Sequence, residues 1–435
     1  MHRSMVRIAV TLGILAVGAT TACSGQSATE QRGDGGGGGG GGGGGNGVTI
    51  SHWQHHSDAR AKLVKNFAAD YDEAKIDFQS IPYESYFQKL GAALEAGNGP
   101  CVFQLPANIL GEFHDRGQLA PVPTSVMSTA DIEKAFTPAS IRLLKIDDAY
   151  YALPTDVQTL MLFYNDDLFE DAGLDPAQSF ESWDDLREAA KALTKTDGGR
   201  MTQAGVDISA SPYQWYYSAP TLAYQDGLVD DETGDVNYDS EPGYMVWDPL
   251  TGLVTEDKVD DPEFLAEQSK FALGKAGMTL KEYTFTGVYN LTAPDLNFSV
   301  HPAPPVADES FAPVASTSWS YAVSKDCADQ DAAWSWVAHL TSEDSQRTWV
   351  AEGGELPSRT ALLQDESLQK DPNIAAGYAS LEKAVPYDAR GWDDAFAVEQ
   401  DIWDQIVLND KDVKSAVDAG ADKERALYRR KGLLE

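Results

Sequence analysis

The sequence predicts an α/β protein built as two lobes, and three observations carry that reading. A chain of 435 residues exceeds what one hydrophobic core usually supports, because single cores stop growing near roughly 250–300 residues. From Val48 onward, strand and helix patterns alternate in the order expected of a parallel sheet covered by helices. Apolar residues make up 42% of the chain and aromatics 10%, enough to fill cores of that size.

The elements follow in order. His2, Arg3 and Arg7 precede an apolar run over residues 8–19. That run is shorter than the ~20 residues a membrane helix needs and suits a secretory signal core, so 1–22 reads as a signal peptide. Thr20, Thr21 and Ala22 lead to Cys23, and 23–47 reads as a tether with eleven consecutive glycines over 35–45. Glycine loses the most entropy on ordering and has no side chain to bury. The tract formally matches a dinucleotide fingerprint, but no strand precedes it and no helix follows it.

The folded body opens with a predicted strand over 48–53 and a helix over 58–72, where Ala61, Leu63, Val64, Phe67, Ala68 and Tyr71 recur at helical spacing. A strand over 75–81, a helix over 83–96 stopped by Gly97-Asn98-Gly99-Pro100, and a strand over 101–105 complete a parallel layer. Further helices are predicted over 183–195, 332–341, 345–352 and 393–409, with strands over 160–164, 276–280 and 321–324.

Lys and Arg number 33 against 68 Asp and Glu, a net charge of −35. Such a surface repels phosphate backbones and anionic lipid, which argues against nucleic-acid partners. The sequence holds no HExxH, GxSxG, P-loop or CxxC pattern, and paired acids such as Asp166-Asp167 are expected in so acidic a chain, so an enzyme is not predicted. His52, His55 and His56 lack the i,i+4 helical spacing of a zinc site, so neither metal nor cofactor is expected.

Ten segments, in order, resemble a known family. They include KLVKNFA from Lys62, PYESYFQKL from Pro82, AGNGPCVF from Ala96, RGQLAPV from Arg116, DAYYALPTD from Asp148 and LFYNDDLFEDAGL from Leu162. Others are SWDDLREAAKALTK from Ser182, GKAGMTL from Gly274, AAWSWVAHLTSEDSQ from Ala332 and EGGELPSRTALL from Glu352. The set resembles the extracellular solute-binding proteins of ABC importers, in the sugar-binding group that includes maltose-binding protein. The resemblance implies a periplasmic-binding-protein fold of the class II type, with a ligand cleft between lobes joined by several chain crossings. Crossings are expected near 154–157, 313–316 and 356–358. The first lobe would then hold 48–155 and 314–356, and the second 156–313 and 357–435.

A sugar site needs aromatic faces for C–H surfaces and polar groups for hydroxyls. Carried over by position, the resemblance points to His55 and Ser57 after the first strand, Gln104 and Asn108 after the third, and Asp156 and Gln158 at the first crossing. Trp215 and Tyr217, in the densest aromatic run, and Gln225 are further candidates, as are Glu282 and Tyr283, Ser318 and Trp319, and Tyr387 and Trp392. Glu282-Tyr283 stand where relatives carry Gly-Ser-Trp, and Trp319 stands in a run usually made of small residues. These departures imply a remodelled pocket.

The resemblance also implies a monomer that captures a mono- or oligosaccharide and hands it to permease subunits. Its anchor would be a lipid on Cys23 at the outer face of the cytoplasmic membrane, although Thr20 replaces the usual aliphatic residue of the lipobox. A polyol, glycerol phosphodiester or sugar acid is the alternative ligand, and a sensing or adhesion protein the alternative role. In the family's fold, Cys101 and Cys327 fall at the same end of the first lobe's sheet, which predicts a disulfide in an exported protein.

Overall fold

A computed structural model describes residues 47–55, 58–208, 230, 233, 235–266, 268–306, 314–381, 384–387, 392–432 and 434. The expected signal sequence, Cys23 and the glycine tract lie outside the described residues. In chain order the strands are β1 Thr49–Gln54, β2 Lys75–Ser80, β3 Val102–Pro106, β4 Leu119–Ala120, β5 Lys145–Ile146, β6 Ala149–Tyr150 and β7 Ala152–Pro154. Then come β8 Gln158–Asn165, β9 Lys195–Asp197, β10 Arg200–Asp207, β11 Ala276–Glu282, β12 Phe298–Pro302, β13 Val314–Thr317, β14 Trp319–Ser324 and β15 Ala384–Pro386.

The first lobe is built on the order β2-β1-β3-β14-β4, with β7 also paired to β14. Strands β1, β2 and β3 run parallel, joined by helices α1 (Asp58–Ala69) and α2 (Tyr83–Glu95), as the alternating pattern predicts. Strand β14 enters antiparallel from far along the chain. Its core joins Leu63, Val64, Tyr86 and Leu90 of these helices to Val102, Phe103, Trp334 and Trp336. Trp336 Nε1 donates to His52 Nδ1 at 3.2 Å, and burial holds the His52 imidazole down at about 3, hence neutral.

Strand β8 opens the second lobe, and all eight of its residues are buried. Alternate side chains feed two cores: Leu160, Leu162 and Tyr164 face one, Met161 and Phe163 the other. A strand covered on both faces therefore reads as the unbroken apolar run LMLFY. The sheet order is β15-β13-β8-β11-β10-β9, with β12 also on β8. The Trp183–Leu193 helix starts at a Ser182–Asp185 capping box and packs close on this sheet. A Cβ on Gly205 would lie 2.0 Å from Ala190 O, so only glycine permits that approach.

The chain changes lobes at three places. Val157 N donates to Leu356 O at 3.1 Å, and Asp156 bridges Pro357, so the first and third crossings lie side by side. β13 pairs with β8 and β15 of the second sheet, and β14 with β3 of the first, so the chain passes from one sheet to the other at Ser318. The run VAST is β-competent on either side of that point, and only its partners decide the lobe.

Cys101 and Cys327 form a disulfide with Cα atoms 4.8 Å apart across a separation of 226 residues. It joins the start of β3 to the segment following β14, within the first lobe.

Candidate functional site

The C-terminal ends of β1 and β3 and the start of β14 meet at one edge of the first lobe, where an aromatic group gathers. The His55 ring centroid lies 4.1 Å from that of Trp319 and 5.1 Å from that of Tyr83. Phe87 stacks on Trp319 at 17° and 6.4 Å. Trp319 sits there because it pairs with Pro106 across the sheet, and its backbone N–H donates to Asp156 Oδ1 at 3.0 Å. Burial, with the Arg60 charge nearby, lowers the His55 pKa to about 3, so this wall is uncharged at neutral pH. Asn108, in the turn after β3, has a buried Nδ2 with no hydrogen-bond partner.

The three crossings form a polar floor beside the wall. Asp156 accepts from Thr155 Oγ1 at 3.0 Å and from Gln158 Nε2 at 2.7 Å. Gln158 Nε2 also reaches Glu355, and its Oε1 accepts from Thr284 N at 3.0 Å. Arg60 Nε, from α1, meets Glu355 Oε1 at 2.9 Å. Ser318 Oγ donates to Asp156 O at 2.9 Å. Glu282, at the end of β11, accepts from Thr317 Oγ1 at 3.0 Å and keeps part of its surface accessible. Burial raises both Glu355 and Glu282 above the usual carboxylate range, with Arg60 opposing the rise at each. Lys281 is buried with Nζ 5.3 Å from the Phe285 ring centroid, and burial lowers its pKa to about 8.

Of the residues singled out in the sequence, the structure brings His55, Gln104, Asn108, Asp156, Gln158, Glu282, Ser318 and Trp319 to this junction. Tyr283 and Tyr387, expected at the cleft, are core residues instead. Tyr283 is 3% exposed and packs with Leu356 and Tyr378. Tyr387 is 1% exposed and donates its hydroxyl to Glu399 Oε1 at 3.0 Å inside the second lobe. Burial satisfies the apolar rings better than the cleft would, and each phenol is carried inward by its neighbours on the chain. Ser57, Trp215, Tyr217 and Gln225 lie outside the described residues, as does the side chain of Trp392, which begins the Trp392–Val407 helix.

Arg60, Tyr83, Phe87, Thr284, Thr317 and Glu355 belong to the junction and were not read from the sequence. Arg60 is one of three cations on its helix, with Lys62 and Lys65, so its sequence alone did not single it out. Thr317 has none, because its pairing with Gln158 across a long separation places it.

Chemically, the junction offers flat aromatic carbon beside amide, hydroxyl and carboxylate groups. No described helix is long and apolar enough to cross a membrane.

Comparison with known proteins gives the same picture. Residues 53–347 match the family model described as bacterial extracellular solute-binding protein. The galactooligosaccharide-binding protein of Bacillus subtilis is 23% identical over 390 residues, covering 84% of this chain and 82% of its own. Among solved structures, the ABC substrate-binding protein Lmo0181 of Listeria monocytogenes, in complex with cycloalternan, superposes with a TM-score of 0.75 at 19% identity. That match covers 89% of this chain and 100% of the other. The maltose-maltodextrin binding protein of Alicyclobacillus acidocaldarius gives 0.72 at 20%, covering 86% and 99%.

Proposed function

Because this chain belongs to the bacterial extracellular solute-binding protein family, we propose that it captures a mono- or oligosaccharide by closing its lobes and delivers it to an ABC permease. The observation that carries the sugar is the pairing of the Trp319–His55–Phe87 wall with the Asp156–Gln158–Glu282 floor. Saccharides present C–H faces to aromatic rings and rims of hydroxyls to amides and carboxylates, and the junction offers both at once. The relatives point the same way, being described as binding galactooligosaccharides, cycloalternan or maltodextrins.

A sugar acid or phosphodiester fits the charge poorly. Asp156, Glu282 and Glu355 line the floor, and Arg60 is held by Glu355. Among the described residues, an anion there would meet the field of these three carboxylates. The lipid anchor is part of the same proposal: acylation of Cys23, with the glycine tract as tether, would keep the body near the permease.

A thermal-shift screen over neutral sugars, polyols, sugar acids and peptides tests the ligand class, since a ligand bound by the folded state alone raises the melting temperature with concentration. A neutral saccharide as the best hit is expected, and a peptide or amino acid as the best hit would overturn the reading. Mass analysis of the N-terminal peptide from the native membrane fraction tests the anchor, and an unmodified Cys23 would remove it.

A further inference from the structure

We propose that Gly287 is a positioning residue for ligand capture: its backbone contact with Gly353 and Gly354, made across the lobes, holds Glu355 in the polar floor. This rests on the solute-capture reading and names what sets the geometry of its floor.

Gly287 lies in the Phe285–Thr292 helix, where alanine would be the better helix former. What forbids alanine is the neighbour. A Cβ on Gly287 would lie 2.9 Å from Gly353 O and 3.4 Å from Gly353 C. Seen from the other side, a Cβ on Gly354 would lie 2.8 Å from Gly287 N and 3.0 Å from its Cα. Gly354 also has φ +69°, a conformation that glycine adopts freely and other residues do not. The atoms in the way are backbone, so no side chain can swing aside to make room. A second glycine grips the same segment one step on: a Cβ on Gly377, in the Pro372–Leu381 helix, would lie 2.6 Å from Leu356 Cδ2. Glu355 stands between the two points so gripped.

The contact joins the two lobes. Trp349, which opens the π-helical turn Trp349–Gly353, belongs to the first core with Leu63, and a Cβ on Gly353 would lie 3.6 Å from Leu63 Cδ1. Tyr289, two residues after Gly287, packs with Phe163 and Phe271 in the second lobe. A hydrogen-bonded link runs beside the backbone one. Glu355 accepts from Gln158 Nε2, and Gln158 Oε1 accepts from Thr284 N, three residues before Gly287. The two links form a ring, Gly354–Glu355–Gln158–Thr284–Gly287, that closes only while the backbones touch. Widening the glycine contact therefore draws Glu355 away from Gln158 and from Arg60, its partner at 2.9 Å.

The test is Gly287→Ala in the full chain, with Gly91→Ala as control. Gly91 lies in α2, and among the described residues a Cβ there meets nothing within 4 Å. Both substitutions favour their own helix, so a difference between them reports the contact across the lobes. Small-angle X-ray scattering of the unliganded protein is expected to show a changed radius of gyration in Gly287→Ala alone. Isothermal titration with maltotriose and with galactobiose is expected to show binding at least about fivefold weaker in Gly287→Ala, and changed less than about twofold in Gly91→Ala. The urea midpoint of Gly287→Ala is expected to stay at or above the native one, which separates positioning from loss of fold. In a Glu355→Gln background Gly287→Ala should cost less than about twofold, because the group it positions has been altered. Native scattering together with native affinity in Gly287→Ala overturns the proposal. So does tighter binding, or the full fivefold loss on top of Glu355→Gln. If the native chain binds neither saccharide, the sugar reading is at fault, and scattering still decides the positioning: an unchanged curve for Gly287→Ala overturns it.

Discussion

Arg60 Nε lies 2.9 Å from Glu355 Oε1, and this ion pair ties the first helix of one lobe to the third chain crossing. The Glu355 side chain is 5% exposed and that of Arg60 14%, so solvent screens the pair weakly. Through Gln158, Glu355 is also joined to Asp156 and to the backbone of Thr284. One guanidinium thus steadies a polar network on which both lobes rest.

Removal of Arg60 leaves a buried carboxylate without its cation. Arg60→Met is expected to destabilise the body by roughly 3 kcal/mol at about pH 8, read from the urea midpoint. The sign with pH follows from the Glu355 carboxyl, which burial raises and Arg60 pulls back. Without Arg60 its folded pKa rises further, so the variant loses stability as pH climbs above the ordinary carboxylate range. The gap to the native chain should therefore shrink toward about pH 5. Arg60→Met combined with Glu355→Gln should recover part of the loss, and a double variant no better than the single one would refute this account.

The disulfide acts on one lobe only. Cys101 immediately precedes β3, whereas Asn108 lies beyond its other end, and Cys327 follows β14. Replacing both cysteines by serine should therefore cost up to about 5 kcal/mol of stability through the unfolded chain. Ligand affinity should change less than about twofold, because neither lobe closure nor the junction is touched. A large loss of affinity at unchanged lobe stability would show that the link reaches the cleft.

How far the sequence could be read follows from the range of the forces involved. Strands β1 to β3 and the helices between them were legible because their periodicity is local. The helix Glu241–Thr255 was not, since Pro242, Gly243, Pro249 and Gly252 argue against it. It forms because Val246, Trp247, Leu250 and Leu253 bury a face in the second core. Helix Val413–Lys431 escaped notice for a related reason: Gly420 and many charges dilute its apolar stripe, yet Gly420 is where Ile402 approaches. At the junction, His55, Asp156 and Gln158 could be placed by resemblance. Arg60 and Glu355 could not, because their encounter spans most of the chain.

Two acids, Glu399 and Glu424, are buried inside the second lobe. Tyr387 donates to Glu399 Oε1 at 3.0 Å, while Glu399 Oε2 has no hydrogen-bond partner. Glu424 accepts from Tyr238 and Tyr428, each at 2.5 Å. Burial, then repulsion from Glu424, pushes the Glu399 carboxyl well above its ordinary 4.5. A raised carboxyl binds its proton more tightly folded than unfolded, so its contribution is complete below 4.5 and declines as pH rises beyond it. The decline is at most about 1.4 kcal/mol per pH unit. Glu399→Gln should flatten this fall, with a melting temperature above that of the native chain at about pH 8 and a smaller difference at about pH 5. Parallel pH profiles for the two proteins would show that Glu399 does not titrate within the folding range.

Trp319 is the residue on which wall and floor both depend. Its ring faces His55 and Phe87, and its backbone N–H is held by Asp156. Trp319→Ala removes the flat surface but leaves that backbone bond, so the hinge should keep its geometry. Saccharide affinity is expected to fall at least about tenfold, some 1.4 kcal/mol, with the larger part in faster dissociation. Trp319→Phe keeps a smaller aromatic face and should recover part of the loss, whereas Trp319→Leu restores volume without a π face and should not. The three variants separate stacking from simple space-filling: if Leu recovers affinity as well as Phe does, Trp319 shapes the pocket without stacking on the ligand.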